Sequence, residues 1–188
     1  MKKIELVYRY ILKAAEHRRR TLSQAEIAKT LSISLSTVHH AMQPLMKMGA
    51  VSVQPRSFSL RDARKILMLW ASIRNIEKDI VYTTHADMPV REIEKTMPPS
   101  VMFAAYSAYR LTLKDVPADY SEVYVYGDEG EVKRRFPPRK GPSNILVLKK
   151  QCEDMTLTNI FVDLWNLKEW YAKDYLNALE RRLDAILA

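Results

Sequence analysis

From Lys2 to His17 the apolar residues fall at Ile4, Leu6, Val7, Tyr10, Ile11, Ala14 and Ala15, the i, i+3, i+4, i+7 stripe of an amphipathic helix. Arg18-Arg19-Arg20 closes it, placing cations at the negative end of the helix dipole. Ser23 followed by Glu26 has capping-box spacing and opens a second helix with Ile27, Ala28 and Leu31 inward. Ser32 to Ser34 is read as a turn, with Ile33 directed to the core. Ser34 or Ser36 then caps a third helix whose inner face is Val38, Ala41, Met42, Leu45 and Met48. Gly49 ends it. Pro44 opposes this helix, at about 3 kcal/mol in an ideal interior. The apolar spacing runs on past it, so a bend near Pro44 is expected.

The period then changes from helical to alternating. Residues 50–54 and 57–60 read as two strands around a tip at Pro55-Arg56-Ser57. Residues 61–80 return to a helical stripe through Ile66, Leu67, Leu69, Trp70, Ile73 and Ile76. Further on, 79–84 reads as a strand, 89–96 as a helix with Pro89 in its first turn, and 100–111 as a helix rich in small residues. Residues 121–127 and 131–136 read as strands joined in a hairpin by Asp128-Glu129-Gly130. Two more strands are expected at 144–150 and 159–164, before a last helix from about Lys168 to Leu187 with Ala172, Leu176, Leu179, Leu183 and Ile186 as its seam. The fold class is therefore α+β: an N-terminal winged helix-turn-helix at 1–60, a connecting helix at 61–79, and a C-terminal mixed α+β domain at 80–188 that ends in a long helix.

Charge sharpens this picture. The net charge is +8, yet residues 1–60 alone hold ten basic against three acidic side chains, so nearly all the excess lies in the first domain. Such asymmetry favours a polyanion there. The longest apolar run, at Ile66 to Trp70, is too short to span a bilayer, and Glu5 and Arg9 interrupt the N-terminal apolar stretch, so no signal peptide and a cytoplasmic location are expected. One cysteine, Cys152, excludes an internal disulfide framework. The four histidines lack ligand spacing, and no metal or cofactor is expected.

The open side of the third helix carries Ser36, Thr37, His39, His40 and Gln43, short groups that hydrogen-bond without charge. The major groove admits one helix and presents donors, acceptors and a thymine methyl to it. Gln43 can pair with adenine through two bonds, while Ser36 and Thr37 suit bases or phosphates near the helix start. His39 and His40 are candidates for base or backbone contact; alternatively His39 is a surface histidine and His40 packs partly against the second helix. Ser34 and Lys47 flank this face, Arg56 would follow the backbone or enter the minor groove, and Arg18, Arg19 and Arg20 would attract phosphates without regard to sequence. The expected partner is double-stranded DNA, read by a homodimer on two half-sites.

Residues 22–51 resemble the winged-helix transcriptional regulators of bacteria and archaea, through Ala28, Ile33, Ser36-Thr37-Val38 and Leu45 to Gly49, with Pro44 as the departure. The resemblance implies a DNA-binding regulator, expected to be a repressor. Residues 100–129 and 159–183 resemble the nucleotidyltransferase core and the antitoxin-type regulators of abortive-infection systems, which implies the alternative of a protein that binds a toxin and represses its own promoter. Nucleotidyl transfer needs a Gly-Ser and paired carboxylates for Mg²⁺. Here Pro99-Ser100-Val101 stands at the helix start, and Glu122 is followed two residues later by Tyr124, so no catalysis is expected. The basic run 131–142 is either a second nucleic-acid contact, with Phe136 as a stacking group, or a solvated hairpin end; as a strand it would put Lys133 and Arg135 on one face and Arg134 on the other.

Overall fold

In the computed structural model, which describes residues 1–150 and 152–187, the chain divides into two compact units. One comprises Met1–Arg74 together with the chain from Glu180 onward; the other is Asn75–Leu179.

The first unit contains α1 (Lys3–Glu16), β1 (Thr21–Leu22), α2 (Gln24–Thr30), α3 (Leu35–Lys47), β2 (Val51–Val53), β3 (Phe58–Leu60) and α4 (Ala63–Ile73). Each helix start has a local cause. Ser23 Oγ accepts the Glu26 amide, Ser34 Oγ accepts the Thr37 amide and Asp62 accepts the Lys65 amide, so three N-termini are capped by their own side chains. Gly49, at φ +69°, ends α3 with two bonds, its own N–H to Met46 O and the Ala50 N–H to Leu45 O. That pair defines a Schellman stop, which needs the left-handed backbone that glycine allows. The helix runs on through Pro44. The strands form a sheet of order β1-β3-β2, both pairs antiparallel. The two-residue β1 was not foreseen; Thr21-Leu22 is too short to show an alternation. The core holds Val7, Ile11, Leu22, Ile27, Val38, Met42, Leu45, Phe58, Ile66 and Trp70.

Two expectations in this unit need correction. The inner face of α1 includes Tyr8 and Leu12, while Leu6, Tyr10 and Ala14 are only half-buried, and it also buries Glu5. The helix expected to reach Asp79 stops at Ile73, because Arg74 turns into extended backbone (φ −66°, ψ 139°). A single 3₁₀ turn, Ile76–Asp79, capped by Asn75, follows in the second unit.

That unit contains β4 (Ile80–Thr84), α5 (Val90–Thr96), β5 (Met102–Phe103), α6 (Ala105–Leu113), β6 (Val123–Gly127), α7 (Glu129–Arg135), β7 (Ile145–Lys149), α8 (Leu157–Trp165) and the first part of α9 (Ala172–Leu187). Its sheet has the order β4-β7-β6-β5, with β6 and β7 parallel and the outer pairs antiparallel. One face of the sheet packs Val123, Val125, Ile145 and Val147 with Ile93, Met97, Val132 and Phe136. Tyr124 and Tyr126, which alternate with these valines, donate hydrogen bonds to Glu169 (3.1 Å) and to buried Asp163 (2.8 Å).

Four expected elements differ. Residues 131–135 lie in helix α7, with Phe136 as its C-cap, and not in a strand of a hairpin: Asp128 accepts the Glu131 amide at 3.0 Å and caps the helix, and parallel β6 and β7 require a crossover rather than a tight turn. Lys133 and Arg135 therefore share no strand face. Residues 159–164 lie in helix α8, capped by Thr156 and buried from Thr158 through Leu164. The element expected as one helix over 100–111 begins as β5, paired with β6, and turns helical only at Ala105. The last helix starts at Ala172 rather than Lys168, and Tyr175 and Leu187 take the inner positions expected of Leu176 and Ile186. Cys152 is buried.

Candidate nucleic-acid interface

The side chains on the open face of α3 owe their position to what its other face buries. Val38, Ala41, Met42 and Leu45 are buried, which turns Ser36, His39, His40 and Lys47 to solvent and leaves Gln43 half-exposed. His39 and Gln43 are one turn apart, and their Nε2 atoms lie 2.8 Å from each other, the amide as donor. This contact restrains the carboxamide beside His39. Ser34 serves as the cap and also contacts the Thr37 hydroxyl at 2.8 Å, so Thr37, half-buried, is already engaged. Ser36 is exposed in the first turn.

The wing brings Arg56 close to this helix. The Gln54 amide bonds Ser57 O at 2.8 Å and closes the tip, and Gln54, Pro55, Arg56 and Ser57 line a concavity of about 340 Å³ with Gln24, Ala25 and Leu35. Leu35, the first residue of α3, is 55% exposed there. It was missed because it stands three positions before Val38, the spacing of a core residue. Gln24 and Gln54 were also missed; nothing in a lone Gln marks it as facing a groove.

The arginine run separates into different environments. Arg18 is exposed, with left-handed backbone at φ 62°. Arg19 pairs with Glu26 at 2.5 Å, and Glu26 also accepts the Tyr10 hydroxyl at 2.6 Å. These contacts, the tyrosine's first and then the guanidinium's, hold the Glu26 carboxyl below the ordinary carboxylate range. Arg20 is half-buried and donates to Leu187 O at 3.0 Å. In this structure Ser36, His39, His40, Gln43 and Lys47 share one helix, and Arg56 is near its start.

Electrostatics follow the same division. The unit that holds α3 carries sixteen basic against six acidic side chains, the other fourteen against sixteen. Among the described residues no group of His, Cys, Asp and Glu that could hold a metal ion occurs, and no helix is long and apolar enough to cross a membrane.

Residues 10–55 match a family model described as the IclR helix-turn-helix domain, about a quarter of the chain. No curated protein and no solved structure matches the chain. The matched span runs from within α1 to Pro55 at the wing tip and so covers α2 and α3, stopping one residue short of Arg56. The match supports a DNA-binding transcriptional regulator of the helix-turn-helix type. It says nothing about residues 56–188, so the resemblance to nucleotidyltransferases and antitoxins has no support from it.

Proposed function

We propose that the protein is a sequence-specific transcriptional regulator, a repressor that acts as a dimer, with α3 in the major groove and the wing on the adjacent backbone. The observation that carries this is an exposed row of neutral hydrogen-bonding groups on α3, backed by the buried Val38, Met42 and Leu45, within the span that matches a DNA-binding domain. Gln43 reads adenine, and Ser36, His39 and His40 contact neighbouring bases or phosphates. Leu35 offers an apolar contact to a thymine methyl. Lys47, Arg18 and Arg56 supply phosphate attraction, with Arg19 and Arg20 mainly bracing the protein through Glu26 and Leu187. The remainder of the chain serves oligomerisation, effector sensing or partner binding, without catalysis, and the protein works in the cytoplasm where its DNA is.

Fluorescence anisotropy against selected genomic fragments and random duplex tests this. The expected result is tight binding to a subset of fragments. Gln43→Ala should cut the preference for them by roughly 5- to 150-fold, the 1–3 kcal/mol of a bidentate base contact. Arg56→Ala should weaken all duplexes alike and make the salt slope shallower by about one. Only weak attraction to every duplex, abolished by salt, would sink the reading.

Dimerisation rests on a shallow groove along α4, where Met68 and Leu69 are half-buried beside Met48 and Lys65. Light scattering should give twice the monomer mass on operator DNA; a monomer there removes the dimer from the proposal. The antitoxin alternative rested on 100–129 and on an ending at 159–183 that opens with a strand in Asp-Leu; residues 159–164 are helical, with Asp163 accepting the Tyr126 hydroxyl, so that part of the resemblance is lost.

A further inference from the structure

The second unit has a slight acidic excess, yet Lys133 to Lys140 contains five basic residues and no acidic one. All five side chains, Lys133, Arg134, Arg135, Arg139 and Lys140, are exposed. Arg135 donates to the Thr96 carbonyl at 3.2 Å, and Lys133 stands 6.0 Å from the centre of the Tyr82 ring. Among the described residues, none of Lys133, Arg134, Arg139 and Lys140 forms an ion pair with a carboxylate. Three other exposed cations of this unit do have carboxylate partners: Lys95 meets Glu92, Lys150 meets Glu153, and Lys168 meets Glu77.

A run of like charge on a loose loop would spread out into solvent, but this one is held in place. The Tyr82 hydroxyl donates to Phe136 O at 2.7 Å, and the Thr84 hydroxyl donates to Pro137 O at 2.9 Å while accepting the Arg139 amide at 3.0 Å. His85 Nδ1 donates to Pro142 O at 2.9 Å, and Asn144 bonds both the N–H and the C=O of Ala86. Gly141, at φ +143°, lies against the His85 ring, where a Cβ would come within 3.0 Å of it. Three prolines, at 137, 138 and 142, stiffen the segment further. Side chains of β4 and its exit thus hold the backbone on which uncompensated cations stand, and such preorganisation lowers the entropy cost of meeting a polyanion.

The chemistry selects among polyanions. Binding to single strands combines cations with exposed rings on which bases stack. Phe136, the ring that the sequence offered for stacking, is 6% exposed and packs into the core, so that role is corrected. Residues 131–142 contain no other aromatic ring. What remains is charge without stacking, which suits phosphates along a duplex. We propose that the Lys133–Lys140 segment is a second, sequence-independent contact for the phosphate backbone of duplex DNA. The proposal deepens the regulator reading and rests on it for the choice of DNA.

The test compares the full-length wild type with a quadruple variant, Lys133→Gln/Arg134→Gln/Arg139→Gln/Lys140→Gln, and a milder double variant, Arg139→Gln/Lys140→Gln. Binding to an operator fragment, a random DNA duplex and an RNA duplex of equal length is followed over a salt series. Each lost phosphate contact removes about 0.9 from the slope of log K against log salt, so the quadruple variant should be shallower by roughly 2 to 3.5 and the double by about half of that. Affinity for both DNA duplexes should fall together, leaving the preference for operator unchanged. All substituted side chains are exposed, so melting curves should superimpose; if the quadruple variant fails to fold, the double variant decides. Wild-type slopes in both variants overturn the loop proposal and leave the regulator reading intact. A loss confined to the RNA duplex overturns the choice of DNA. A wild type that binds no duplex DNA overturns both. A shallower slope in the quadruple variant, with specificity untouched by Gln43→Ala, supports the loop and removes the assignment of α3.

Discussion

Glu5→Ala is expected to destabilise the first unit by about 3–5 kcal/mol, as read from the midpoint of urea unfolding. Glu5 is the third residue of α1 and its carboxylate is 3% exposed. One oxygen accepts the Lys2 amide at 2.8 Å; the other accepts the Trp70 indole N–H at 3.3 Å and lies 3.7 Å from the Arg74 guanidinium, itself 2% exposed. Removing the carboxylate takes from a buried cation an anionic partner and from a buried indole its acceptor, and part of the desolvation cost of both groups then loses its compensation. Small domains hold about 5–15 kcal/mol in total, so this one change consumes much of the margin. A double variant, Glu5→Met with Arg74→Met, should recover most of the loss, because it removes the buried charges together. A single-variant loss below about 1 kcal/mol would show that water reaches the pair and would end this account.

Glu94→Ala should cost the second unit about 3 kcal/mol, and for a different reason. The Glu94 side chain, 3% exposed, joins α5 to α6 and to the loop at Tyr120. It accepts Arg110 at 2.7 Å, Arg91 at 3.2 Å and the Tyr120 hydroxyl at 2.5 Å. Tyr120 in turn stacks on Tyr106 with ring centres 5.4 Å apart. Arg91 and Arg110 are 42% and 26% exposed, so they can turn toward water, and the expected loss is at the low end for a broken buried pair. Burial alone would raise the Glu94 pKa, but the Tyr120 and Ser107 hydroxyls, the charge of Arg110 and the Arg91 hydrogen bond outweigh it and hold the carboxyl below its ordinary value of 4.5. A depressed folded-state pKa means the stabilisation is complete above the unfolded-chain value and fades as pH falls through the lower folded-state value. Glu94→Gln should accordingly flatten the acid side of the stability profile, and the gap to wild type should close as pH drops below about 4.5. A gap that persists unchanged into acid would show that the charge of Glu94 contributes nothing.

The helix-turn-helix was legible because its signals are local. Ser23 and Ser34 stand where caps are needed, Gly49 stands where a helix must stop, and Val38, Met42 and Leu45 repeat at a helical period. A cap or a stop involves residues a few positions apart, so the order of residues alone contains it. The neutral face of α3 was visible for the same reason, as the complement of its buried face. The row of Ser36, His39, His40 and Gln43 follows from helical geometry once the helix is known.

Other features depend on residues distant along the chain. Val132 and Phe136 are four apart, a spacing that fits both a strand and a helix, and only the parallel pairing of β6 with β7 makes a crossover necessary. From Thr158 to Leu164 every side chain is buried, so α8 has no polar face to reveal its period. Glu5 reads in sequence as one more surface acid; it becomes buried structure only when Arg74 and Trp70, more than sixty residues away, are brought to it. In sequence Lys133, Arg134, Arg139 and Lys140 fit a nucleic-acid contact and a solvated hairpin end alike, and it is β4, through Tyr82 and Thr84, that holds the backbone from Phe136 to Arg139 in place. The sequence alone determined the helices of the helix-turn-helix, where α2 and α3 begin, where α3 stops and which of its faces is open, because backbone hydrogen bonding and side-chain period act over a few residues. The tertiary structure decided which charges are buried and which are held without a partner, because desolvation and pairing depend on what the rest of the chain places beside them.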